Sequence, residues 1–146
     1  MRKLIWMAAL FGSSMSCLAA PDEEVVEAMT KLTSLTAEEI RQDYDACDSG
    51  VTLRMKICAS YHWVAEDVRL NKIYAQVRAK AKEVGYEPSL IEAQRAWLAY
   101  RDTTCAFEGE MGAGGGTAEG LYVLSCRERL TKERTDDLAE YLKDTN

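Results

Sequence analysis

A chain of 146 residues with a formal net charge of −6 has the length of one compact domain. Its acidity argues against nucleic acid or an anionic membrane surface as partner. The first twenty residues carry Arg2 and Lys3 and no acidic residue, so the rest of the chain is more acidic still, at about −8, and suited to a basic protein partner.

In chain order, the first element is an export leader. Arg2 and Lys3 precede the apolar stretch Leu4 to Phe11 (LIWMAALF), and small residues follow through Leu18-Ala19-Ala20. A charged start, a short apolar centre and a small-residue exit form the pattern of a secretory signal. Gly12-Ser13-Ser14 breaks the run well before the roughly 20 apolar residues a bilayer span needs, so no membrane span is expected. Cys17 follows Ser14-Met15-Ser16, where a lipoprotein signal usually has leucine three positions before the cysteine, so a lipid anchor at Cys17 is not expected. The chain thus reads as a signal peptide over 1–20, an N-terminal extension with short helices over 21–46, and a helical domain over 47–142. Its expected location is the periplasm or the exterior.

Beyond the leader, Asp22 to Leu35 is amphipathic, with Val25, Val26, Met29 and Leu32. Thr36 with Glu39 three residues later is a capping-box pattern that predicts a short helix. Asp48-Ser49-Gly50 reads as a turn. Ile57, Tyr61, Val64, Val68, Ile73, Val77, Ala81 and Val84 recur mostly at three- to four-residue spacing and predict a long helix from Thr52 to Val84, stopped at Gly85. Pro88 and the Ser89-x-x-Glu92 box predict the next start, with Leu90, Ala93, Trp97 and Tyr100 on one stripe. Gly112 to Gly116 (GAGGG) predicts a flexible loop, and a last helix carries Leu121, Leu124, Leu130 and Leu138. No stretch alternates as a strand. The expected class is all-α: a small bundle with the long helix antiparallel on a second one.

Cys47, Cys58, Cys105 and Cys126 are an even set in an exported chain, which points to two disulfides. The chain has no C-x-x-C, and His62 is its single histidine, so no metal site and no cofactor are expected. Four cysteines allow three connectivities. In an antiparallel helix pair, Cys58 and Cys105 lie at unequal offsets from the turn, about 39 and 25 Å at 1.5 Å per residue. That disfavours joining them, since a disulfide needs Cα atoms within about 7 Å. The expected bridges are Cys47–Cys58 and Cys105–Cys126. The same offsets set Asp67 and Asn71 opposite Arg101 and Asp102, with Tyr74 near Trp97.

The stretches Met55-x-x-Cys58, Asp67-x-x-Leu70-Asn71-x-x-Tyr74 and Ala93-Gln94-Arg95-Ala96-Trp97-x-x-Tyr100-Arg101-Asp102-x-x-Cys105 give the chain its resemblance. A glycine-rich stretch and Cys126-x-x-x-Leu130-Thr131-x-x-Arg134-x-x-x-Leu138 complete it. With these motifs the chain resembles the LprI-type lysozyme inhibitors, a family of small exported bacterial proteins. Two departures are Glu66, where the family commonly has alanine, and the longer glycine stretch. The resemblance implies a helical envelope domain whose partner is a protein.

Asp67, Asn71, Arg95, Arg101 and Asp102, with Arg134, are expected to form a buried structural network, because no nucleophile–histidine pair accompanies them. Tyr74, Trp97 and Tyr100 are expected to pack in the core; an exposed Trp63 would suit an interface. Phe107 to Gly120 combines Glu108, Glu110, Glu119 and Met111 with six glycines between two disulfide cysteines, and reads as a partner-binding loop. The function expected is binding and inhibition of a lysozyme-type peptidoglycan hydrolase, with a basic lysozyme as the protein partner. The alternative is an envelope interaction or immunity-type protein with another partner. No catalytic set supports an enzyme.

Overall fold

The computed structural model describes residues 20–143, so the leader and Cys17 lie outside the described residues except for Ala20. Among the described residues five helices follow one another: α1 (Glu23–Leu32), α2 (Ala37–Asp43), α3 (Thr52–Glu83), α4 (Glu87–Ala113) and α5 (Glu119–Glu140). No strand occurs among the described residues, and the class is all-α.

Local chemistry explains the boundaries. The Asp22 carboxylate accepts the Glu24 N–H at 2.8 Å and caps α1. At α2 both halves of the Thr36–Glu39 capping box are formed. Gly85, at φ 81°, ends the long helix, and the Tyr86 N–H closes back on the Ala81 carbonyl at 2.8 Å. The Ser89–Glu92 box expected at the next start is not formed. The helix begins earlier, at Glu87, with Tyr86 as its cap and Pro88 in the first turn, where a missing N–H costs no hydrogen bond.

Helices α4 and α5 make an antiparallel hairpin, joined by Cys105–Cys126 and by Gln94–Arg134 and Glu108–Arg129 contacts. The long helix runs parallel to α5, with Arg69 on Asp136 at 2.7 Å and Lys80 Nζ on the Tyr141 carbonyl at 2.8 Å. It is therefore antiparallel to α4, as expected. The larger contact of both α3 and α4 is with α5, which fills the seam between them.

Residues before Asp43 are folded onto this bundle. Val25, Val26, Met29 and Ile40 pack with Ile57, Tyr61 and Val64 of the first half of α3. The Asp22 N–H donates to the Tyr61 hydroxyl at 2.6 Å, and the Cys47–Cys58 bridge fixes the following loop to α3. A second cluster joins Leu70, Val77 and Leu138, and a third joins Cys105, Cys126 and Leu130. Trp97 packs against both.

Candidate functional site

At the centre of the bundle an arginine is the most buried charge among the described residues. The Arg101 side chain is 8 % exposed, with Nη1 3.5 Å from Asp67 Oδ1 and Nε donating to Asp102 Oδ1 at 3.1 Å. Its guanidinium lies 5.2 Å from the centroid of Trp97 and 5.9 Å from that of Trp63. Arg127 covers Trp63 at 5.1 Å, and Arg134 covers Trp97 at 6.0 Å while donating to Gln94 at 3.0 Å. The order Arg127–Trp63–Arg101–Trp97–Arg134 is a ladder of cations and aromatic rings crossing from α5 through α3 and α4 back to α5. Planar guanidinium groups stack on rings in this way while keeping their in-plane N–H donors for carboxylates.

This arrangement revises the expected network. Asp67, Arg101 and Asp102 are brought together, Arg134 is linked to them only through the Trp97 ring, and Asn71 reaches Asp67 at 3.2 Å from an exposed position. Tyr74 and Trp97 meet in one apolar cluster. Of the expected buried group, however, Arg101 alone among the charged members is buried; Asp102 and Asn71 are exposed. Arg95 is also exposed, without an ion pair among the described residues. Tyr100 is not a core residue: it is 55 % exposed. Trp63 is half-buried under two guanidinium groups, not a free interface residue. Two members are not anticipated by the sequence reading: Arg127, which covers Trp63, and Gln94, which accepts from Arg134. A signal existed, since both stand at helical spacing from cysteine or arginine positions of the motifs, but spacing does not say which ring a guanidinium will cover.

The ladder fixes the rotation of α4. With Gln94, Arg101, Cys105 and Gly109 turned inward, Tyr100, Phe107 and Met111, spaced by seven and four residues, fall on one outward stripe. Phe107 is 61 % and Met111 72 % exposed. Glu110 is exposed beside them, and Glu108 pairs with Arg129 at 2.8 Å. Exposed large apolar side chains grouped in this way mark interaction surfaces.

The expected loop from Phe107 to Gly120 is mostly helix. Glu108, Glu110 and Met111 lie in the last turns of α4, Glu119 is the first residue of α5, and the connection shrinks to residues 114–118. The physical reason is close helix approach. A Cβ on Gly109 would stand 2.6 Å from Val123 Cγ2, and one on Gly112 2.7 Å from the Tyr122 ring. These two glycines serve helix contact; Gly114 and Gly115, at φ 56° and 81°, make the turn. Glu119 is half-buried, its Cγ 3.2 Å from the position a Gly109 Cβ would take, so it does not belong to the outward stripe.

His62 is exposed next to Cys47 and Cys58, their ligand atoms all within 4.8 Å. Joined in a disulfide, the two sulfurs offer no thiolate to a metal. No helix among the described residues is long and apolar enough to cross a membrane.

A family model described as "Lysozyme inhibitor LprI" matches residues 44–138. An uncharacterized protein of Rhizobium meliloti (strain 1021) is 36 % identical over 110 residues, covering 66 % of this chain and 78 % of that protein. No solved structure matches the chain significantly.

Proposed function

The chain belongs to the LprI lysozyme-inhibitor family, and from that premise we propose that it binds and inhibits a lysozyme-type peptidoglycan hydrolase through the outer face of α4. The observation that carries this reading is the Tyr100–Phe107–Met111 stripe, apolar, exposed and bordered by Glu110 on a rigid, disulfide-tied helix. Aromatic side chains on a pre-ordered element supply contact area at low ordering cost. The acidic border and overall charge steer the encounter with a cationic enzyme. A lysozyme cleft holds its own catalytic carboxylates, so Glu110 faces the basic rim while Phe107 and Met111 cover the cleft mouth. The protein acts as a stoichiometric binder, not as an enzyme, and does so outside the cytoplasm after removal of residues 1–20.

The test is clearing of bacterial cell-wall suspensions by a panel of lysozymes with purified protein added. Inhibition of at least one basic lysozyme is expected. Phe107→Ser and Met111→Ser should each weaken it about tenfold, with unchanged melting temperature because both side chains are exposed. Inhibition that survives both substitutions removes the α4 face from the mechanism. Absence of inhibition across the panel overturns the lysozyme reading in favour of another protein partner.

A further inference from the structure

A second surface lies at the other end of α4. Between the ends of α3 and α5 and the start of α4 runs an open groove of about 420 Å³. Its accessible apolar floor is formed by Ala81, Leu90 and Ala93, above the buried Val77 and Leu138. Val84, Tyr86 and Tyr141 stand around its mouth with 60 %, 68 % and 64 % of their surfaces exposed. Lys80 and Arg134 are the charged residues lining it, and no carboxylate does. In an acidic chain this local excess of positive charge on an apolar cleft is selective. Both cations keep donor capacity: Lys80 uses one N–H on the Tyr141 carbonyl, and Arg134 uses Nε on Gln94.

We propose that this groove binds a single-chain amphiphile with an anionic head, specifically a free long-chain carboxylate. The acyl chain lies on Ala81, Leu90 and Ala93, and the carboxylate meets Lys80 and the terminal nitrogens of Arg134. Charge complementarity selects an anion over a neutral or cationic head. The volume is at the small end of the ~300–1,000 Å³ typical of ligand clefts, which suits one chain and not a two-chain lipid. Leu90 is separated from Met111 by about 30 Å of helix, so this site does not rest on the lysozyme reading.

The experiment is calorimetric titration of the purified protein with dodecanoate, dodecanol and dodecyltrimethylammonium, each below its micelle concentration, and with vesicles of anionic phospholipid. Dodecanoate should bind at one per chain, the alcohol more weakly, the cation not at all. Each methylene removed should cost about fourfold in affinity, as expected for burial of a CH2 group. Lys80→Glu should reduce dodecanoate affinity at least tenfold, and Val84→Asp should do the same from the apolar rim. Both positions are exposed, so an unchanged melting temperature separates lost binding from lost fold. Equal binding of anion and cation, an unaffected Lys80→Glu variant, no binding of dodecanoate, or binding of vesicles alone would each overturn the proposal.

Discussion

Arg101 shows how much one side chain can decide. It is held by two carboxylates that remain partly hydrated, Asp67 and Asp102, and by two indole faces. Arg101→Met keeps much of its volume and removes the charge, and we expect a loss of about 2 kcal/mol. That is below the 3–5 kcal/mol of a fully buried broken pair, because both carboxylates can recover water. Arg101→Lys should lose about 1 kcal/mol, since an ammonium cannot stack and pair at once. Urea midpoints of the two variants check both figures. Tyr61 carries a pH dependence of its own. Burial, partly offset by the N–H donated from Asp22, raises its phenol above the ordinary value. The neutral form is therefore favoured by folding: its contribution is complete below about pH 10 and is lost as pH rises through the folded value. The contact between α1 and α3 should loosen at higher pH, and Tyr61→Phe should abolish that step in tyrosinate absorbance. At this scale the sequence made Asp67, Arg101 and Asp102 legible as neighbours through helix offsets. It did not distinguish buried Arg101 from exposed Arg95 and Tyr100, because a shift of one or six positions turns a side chain to another face.

Among the elements, α4 departs most from its sequence pattern. Glycine is a poor helix residue, and a run rich in it reads as loop unless another helix occupies the space of the missing side chains. Gly109 and Gly112 are in that situation, and their substitutions should differ. Gly109→Ala places a methyl against Val123 in a buried contact and should destabilise by about 1–3 kcal/mol. At Gly112 the opposing ring, Tyr122, is 49 % exposed and free to swing aside. Gly112→Ala should be near neutral, the gain in helix propensity of up to ~1 kcal/mol offsetting the displaced ring. Thermal melts of the two alanine variants decide this. The other helices, both disulfides and the all-α class were readable from periodicity, caps and cysteine placement. The dominance of α5 over α4 in covering the long helix was not, since a stripe of apolar positions does not name the helix that will cover it.

For the whole molecule, the covalent framework adds to a modest core split into three clusters. The two bridges span 11 and 21 residues in sequence, and each should contribute about 3 kcal/mol on the chain-entropy account. Reduction should therefore lower the denaturation midpoint in two separable steps, with Cys105→Ala/Cys126→Ala losing more than Cys47→Ala/Cys58→Ala. The placement of these bridges is also uneven. Cys58 and Cys126 sit in the second turns of α3 and α5, and Cys105 is two turns from the end of α4, so both covalent ties lie toward one end of the bundle. The opposite end, where α3 turns into α4, carries no disulfide and is held by packing and by exposed polar contacts, Lys80 on the Tyr141 carbonyl and Arg78 on Glu87. The molecule is thus built like a clamp hinged at its stapled end, whose free tips open first. Amide exchange should run fastest through residues 80–93 and 136–142 and slowest around Cys105 and Cys126.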